Sequence, residues 1–160
     1  MRERLAAHHR ESLADLLGRT PEFSPDDVVV ALELIDDALA GGPDYRFLVD
    51  TEGGIAQGYV CFGATAMTEG TYDLYWICVD PDKKGRGIGR ALVAEMEREI
   101  ARDGARLVRV ETAGSAEYAA TRAFYERAGY EIVATIRDFY RSGNALVIYG
   151  HYLQPVATAG

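Results

Sequence analysis

Residues 84–89 read Lys-Gly-Arg-Gly-Ile-Gly, between an apolar run "YDLYWICV" (72–79) and an amphipathic stretch carrying Leu92, Val93 and Met96. Gly85, Gly87 and Gly89 alternate with Lys84, Arg86 and Ile88, and Lys83 and Arg90 flank the group. The first turn of a helix leaves backbone N–H groups unpaired at the positive end of the helix dipole. Glycines ahead of it let the main chain approach an anion with no Cβ in the way. The chemistry these residues can do is therefore to cradle a phosphate or pyrophosphate. A tight strand-to-helix connection with solvated lysines is the simpler alternative, although a mere turn has little need of three alternating glycines.

Two phosphate loops are excluded by spacing. A P-loop ends in Gly-Lys-Ser/Thr, whereas Gly89 is followed by Arg90 and Ala91. A dinucleotide fingerprint wants G-x-G-x-x-G, and Arg90 stands where the third glycine would be. Glu111, at the end of the next strand, could imitate the ribose-binding acid of that fold, but the antiparallel strands ahead of the loop do not suit a doubly wound sheet.

The elements that must position the loop follow from periodicity. "ESLADLLGRT" (11–20) has helical spacing of Leu13, Leu16 and Leu17. A second helix starts at Ser24 as N-cap with Pro25 first and Asp26 and Asp27 in its first turn, and Gly41-Gly42 ends it. Strands are expected over 45–50 and 55–65 around Glu52-Gly53-Gly54, over 72–79, and over 105–112. A helix with Ser115 as candidate cap runs to Gly129, and a closing hairpin turns at Ser142-Gly143. The order predicts an α/β domain with an early antiparallel meander and one central strand–helix–strand crossover. No strand is evident in residues 1–10, and 154–160 reads as a frayed tail.

The 160 residues suffice for one domain. A formal net charge of −8 argues against a broad basic nucleic-acid surface, while leaving room for a local cationic pocket. Apolar runs fall short of the ~20 residues of a membrane span. Cys61 and Cys78 lie in strand-like runs with no CxxC pairing, which predicts a reduced, cytoplasmic setting. His8, His9 and His151 lack metal-ligand spacing and are expected at the surface or termini, so no metal is expected.

"KGRGIG" resembles the acyl-CoA pyrophosphate loop of the GNAT (Gcn5-related N-acetyltransferase) superfamily. The resemblance continues in "DLYWICVDP" before the loop and "AFYERAGYEIV" after it, over roughly residues 24–152. Lys84 stands where members usually have Gln or Arg, and Tyr118 where many have Asn. The resemblance implies a single GNAT domain over 1–160. Its fold would be a mixed twisted sheet, an antiparallel meander plus a splayed parallel strand pair, flanked by helices.

It further implies transfer of an acetyl group from acetyl-CoA, as co-substrate, to a primary amine. The backbone of Lys84, Gly85, Arg86, Gly87, Ile88, Gly89 and Arg90 would hold the pyrophosphate. Ile77, Cys78 and Val79 would pair with the pantetheine arm, and an N–H of Cys78 or Val79 would polarise the thioester carbonyl. Tyr125 would serve the leaving thiolate and contact the cofactor, with a core tyrosine beside Phe124 as the plain alternative. The proton acceptor is Asp73 or its rival Glu111; either acid could instead be structural. Arg137 or Arg141 could bind an acceptor carboxylate and Asp138 could steer an ammonium, which hints at a small amino-acid-like acceptor. A protein or peptide acceptor, a longer acyl chain and a non-catalytic acyl-CoA-binding module stay open, as does a homodimer through the last strands.

Overall fold

The computed structural model describes residues 1–154. Seven strands form one sheet in the order β1-β2-β3-β4-β5-β7-β6, with four α-helices. The strands are β1 (Arg2–Arg4), β2 (Arg46–Glu52), β3 (Ile55–Ala64), β4 (Thr71–Val79), β5 (Leu107–Ala113), β6 (Glu131–Arg141) and β7 (Asn144–Tyr152). The helices are α1 (Arg10–Arg19), α2 (Pro25–Leu39), α3 (Ile88–Arg102) and α4 (Ala119–Arg127). The chain divides into two compact units, residues 1–63 with 76–96 and residues 64–75 with 97–160.

In the first unit, β1 pairs antiparallel with β2 and β2 with β3. The β1 strand corrects the expectation of none in residues 1–10. Three residues, Arg-Glu-Arg, carry no apolar alternation, and their pairing with Leu48–Asp50 is a long-range event. Leu13, Leu16 and Leu17 of α1 and Ala31 and Ile35 of α2 share one core with Phe47, Val49, Ala56, Tyr59, Cys61 and Cys78. The start of α2 is a reciprocal cap. Asp27 N donates to Ser24 Oγ at 3.1 Å and Ser24 N to Asp27 Oδ2 at 2.8 Å, which satisfies two end donors. His9 is fully buried, not a surface histidine. Its Nδ1 accepts from Ala6 N at 3.0 Å, so the ring hydrogen sits on Nε2, which faces Glu3 Oε1 at 3.3 Å.

In the second unit, the parallel ladder of β4 with β5 has three registered pairs, Thr71↔Leu107 to Asp73↔Arg109. β5 then pairs antiparallel with β7 along its whole length. Ser115 makes no side-chain cap. The chain there forms a 3-10 turn, Ala116–Tyr118, and Arg122 Nη1 ties it by donating to the carbonyls of Ala113 (2.8 Å) and Ser115 (2.7 Å). β6 is the last strand of the sheet and all eleven of its residues are exposed. Residues 137–140 bulge opposite Ala145, with Asp138 at φ +53° and its Oδ1 accepting from Gly143 N at 2.7 Å. Asp138 thus serves the hairpin itself.

Candidate active site

The loop after β4 has the backbone that an anion requires. Gly85 and Gly87 sit at φ +82° and +80°, and no atom lies within 4 Å of where a Cβ would stand on either. Only glycine adopts this conformation without strain, and here the space beside it is open. Ala91 N donates to Gly87 O at 3.0 Å as α3 begins, so the N–H groups of Ile88, Gly89 and Arg90 precede the helical ladder and have no helical acceptor. Residues Lys84–Arg90 therefore fit a pyrophosphate: open backbone at the glycines, N–H donors with no acceptor among the described residues, and a helix N-terminus.

The two lysines beside the loop are already matched. Lys83 Nζ pairs with Glu52 Oε2 at the β2–β3 turn, and Lys84 Nζ with Glu22 Oε1 ahead of α2. The Lys83 hydrogen bond holds Glu52 below the usual carboxylate range. Burial pushes Glu22 up, but Lys84 and its own backbone outweigh that and the net shift is downward. Neither pairing was legible beforehand, since the partners lie 31 and 62 residues apart.

The Cys78 thiol is not free for chemistry. The Thr20 hydroxyl donates to Leu16 O at 2.7 Å, so at 3.3 Å from Cys78 Sγ it can only accept. The thiol is buried and pushed up to about 11 by burial, which leaves it an inert core group. Ile77 and Val79, either side of it, are half-buried. Gly58 of β3 is what lets β4 and α3 close up. A Cβ there would meet Cys78 O at 2.8 Å, Ile88 Cγ2 at 3.2 Å and Leu92 Cδ1 at 3.3 Å.

The second unit holds Asp73, Glu111 and Tyr125. Arg109 brings the two acids together, with Nε 2.7 Å from Asp73 Oδ1 and Nη1 4.0 Å from Glu111 Oε1. Thr65 Oγ1 donates to the other Asp73 oxygen at 2.7 Å, so both Asp73 oxygens have donors in a nearly buried site. The hydrogen bond with Asp73, ahead of the opposing effect of burial, raises the Arg109 guanidinium further. Glu111 is about half exposed, and its one ion pair among the described residues is the distant one with Arg109. Arg109 was not singled out in the sequence; its signal was a cation alternating with Val108 and Val110 two residues before Glu111. Tyr140, on the β6 bulge, is raised by burial and by the charges of Glu111 and Tyr118 beside it.

Tyr125 stands in a separate aromatic group. It is 4% exposed, and burial raises its phenol, so it stays protonated at neutral pH. Among the described residues no hydrogen bond is found to its hydroxyl, while Tyr130 and Tyr149 around it are both bonded.

A seven-stranded mixed sheet in this order, with one parallel pair whose ladder ends after three residues and a glycine loop opening the helix between them, defines an N-acyltransferase fold. A family model of the acetyltransferase (GNAT) domain matches residues 43–132. A GNAT-family protein from Desulfovibrio desulfuricans is 40% identical over 95% of this chain and 98% of its own, with a TM-score of 0.91. The ribosomal-protein-S18-alanine N-acetyltransferase of Escherichia coli (20% identical, TM-score 0.76, 99% and 96% covered) shares the fold. So does an aminoglycoside 6'-N-acetyltransferase solved with coenzyme A (16%, TM-score 0.77, 99% of both). No curated protein is similar enough to count as a match. The chain belongs to the GNAT family of acetyl-CoA-dependent N-acetyltransferases. Among the described residues, no helix is long and apolar enough to cross a membrane.

Proposed function

We propose that this enzyme transfers the acetyl group of acetyl-CoA to the primary amine of a small, amino-acid-like acceptor, by direct attack in a ternary complex. The observation that carries the reading is the glycine cradle, Gly85 and Gly87 at positive φ with open space beside them, ahead of three N–H groups that have no acceptor among the described residues. The solved relative with coenzyme A supports the same donor here. The pyrophosphate rests on the backbone of Lys84–Arg90. The strand edge at Ile77, Cys78 and Val79 takes the pantetheine arm, and the N–H of Cys78 or Val79 polarises the thioester carbonyl.

The amine lone pair attacks the carbonyl carbon, the C–N bond forms, and the C–S bond breaks with its electron pair passing to sulfur. Tyr125 gives its proton to the departing sulfur, since burial keeps the phenol protonated. The proton lost by the amine goes through water to Glu111. Asp73 is the weaker choice because Arg109 and Thr65 already engage both its oxygens. Its role is to hold Arg109, and Arg109 faces Glu111. Buried free thiols at Cys61 and Cys78 suit a reducing, cytoplasmic setting.

The exposed β6 strand supports a homodimer. It carries Ile132, Val133, Ile136, Phe139 and Tyr140, each about half exposed, with Glu131 and Arg141 at opposite ends. Two antiparallel copies match those charges, which makes a second copy of this chain the fitting partner. Light scattering is expected to give twice the monomer mass, reduced to one by Ile136→Glu.

The function is tested by calorimetry with acetyl-CoA and a thiol-release assay over amino acids, a polyamine, an aminoglycoside and an alanine-terminated peptide. Gly87→Glu is expected to lose binding and turnover, and Tyr125→Phe turnover alone. Wild-type binding without turnover on any amine would favour a sensor, and no binding would refute the assignment.

A further inference from the structure

The second unit contains three buried tyrosines in contact, and only one of them has an unbonded hydroxyl. The Tyr125 ring centroid lies 5.4 Å from Phe124, 5.8 Å from Tyr130 and 6.0 Å from Tyr149. The Tyr130 hydroxyl donates to Glu97 Oε1 at 2.8 Å, and the Tyr149 hydroxyl donates to Glu126 Oε1 at 2.9 Å. Residues Tyr125, Tyr130 and Tyr149 are 4%, 3% and 0% exposed. Glu97 is itself fixed by His151, whose Nδ1 lies 3.0 Å from the same oxygen and whose ring packs 5.0 Å from that of Tyr130.

The Tyr125 hydroxyl has no partner among the described residues, yet it is not one of the fully buried polar atoms left without one, so it keeps access to solvent, and a ring left unheld would let it wander. Here the neighbours oppose that. Charge-assisted hydrogen bonds are the stronger kind, so the two flanking phenols are pinned to their carboxylates. Among the described residues, Glu97 and Glu126 accept from these two phenols and neither accepts from Tyr125. The ring between them is confined on three sides while its hydroxyl stays unmatched.

We infer that the pairs Tyr130–Glu97 and Tyr149–Glu126 are positioning pairs that hold the Tyr125 ring and keep its proton for a substrate atom. This rests on the reading of Tyr125 as donor to the leaving thiolate. Tyr130, Tyr149, Glu97 and Glu126 themselves do not touch the reacting atoms in this scheme.

Ring flipping of Tyr125, followed by NMR on protein labelled at its tyrosine rings, tests the confinement without any acceptor. Tyr149→Phe, Tyr130→Phe and Glu126→Ala are expected to speed flipping at least tenfold. Glu126→Gln keeps an acceptor oxygen and is expected to stay near the wild-type rate, which a mere loss of packing would not explain. On any amine turned over in the screen, Tyr149→Phe and Glu126→Ala should lower kcat three- to tenfold with the KM for acetyl-CoA unchanged. In a Tyr125→Phe background the same changes should cost nothing further, because coupled residues are not additive. Unchanged flip rates, or losses that simply multiply in the Tyr125→Phe background, would overturn the inference. A fully active Tyr125→Phe enzyme would instead remove the donor role on which it rests, and the inference with it.

Discussion

Gly58→Ala tests whether the loop and the strand proposed to present the thioester depend on a close approach to β3. The added Cβ would stand 2.8 Å from the Cys78 carbonyl oxygen, closer than real carbon–oxygen contacts allow. Ile88 Cγ2 and Leu92 Cδ1, at 3.2 and 3.3 Å, are side-chain ends that can yield. The carbonyl belongs to a strand and cannot swing aside alone, so β4 must move. Overpacking of this kind costs about 1–3 kcal/mol, and the loss of unfolded-chain freedom on replacing glycine returns about 0.4–1 kcal/mol. The net destabilisation is about 1–2 kcal/mol, which for a domain of this length lowers the melting temperature by roughly 2–8 °C.

Thermal unfolding followed by far-ultraviolet circular dichroism measures it, with Gly18→Ala as the control of opposite sign. Gly18 lies in α1 at negative φ with nothing within 4 Å of a Cβ, so alanine there should stabilise by up to about 1 kcal/mol. Calorimetry should also find acetyl-CoA binding weakened in Gly58→Ala, because the displaced segment is the one proposed to take the pantetheine arm. Melting of Gly58→Ala at or above the wild-type temperature, with Gly18→Ala behaving as expected, would refute the reasoning.

Three further outcomes are expected. Glu111→Gln should lower kcat/KM at neutral pH at least tenfold with little change in melting temperature. Asp73→Asn, which breaks a nearly buried pair with a half-open arginine, should instead cost about 1–3 kcal/mol of stability; the reverse pattern would return the base to Asp73. The Arg19 guanidinium, with the N–H of Asp82, holds the Asp80 carboxyl below its ordinary range. A depressed folded pKa stabilises above the unfolded value of about 3.9 and is lost as pH falls through the folded one. The melting gap between wild type and Asp80→Asn should thus be full at pH 7 and shrink at pH 3. Finally, Lys83→Ala and Lys84→Ala should each change acetyl-CoA affinity by less than about threefold, since each lysine already faces a carboxylate, whereas Gly87→Ala, forcing φ +80° on an L side chain, should weaken it roughly tenfold.

What could be read from the sequence was local, and what could not was set by register or distance. The glycine loop, the Ser24–Asp27 cap and the Glu52-Gly53-Gly54 turn declare themselves within a few residues, because each rests on a backbone conformation or a three-residue spacing. The β1 strand does not, since its hydrogen bonds come from residues 48–50 and its own side chains are polar. The Asp73–Arg109 contact requires the parallel register of β4 with β5, which no pattern in either strand specifies. His9 escapes the sequence pattern for a similar reason. Beside exposed His8 it looks like a surface residue, but the turn into α1 carries it inward and Ala6 caps its Nδ1.

The same distinction bears on how a chain of net charge −8 comes to hold a multiply charged anion. Long-range attraction is unavailable, because the summed field repels an anion and screening removes it beyond ~8 Å at physiological salt. The lysines next to the loop do not reverse this, as Glu22 and Glu52 cancel them one for one. The proposed recognition then falls to donors outside those pairs, the main-chain N–H groups at the head of α3 together with Arg86 and Arg90. The main-chain donors need an open backbone and a fixed direction, which is what positive φ at Gly85 and Gly87 provides. The acids around the loop thus favour a ligand that fits the cradle over one that is merely negative. On the proposed reading the glycines, more than the two paired lysines, are the residues that cannot be exchanged.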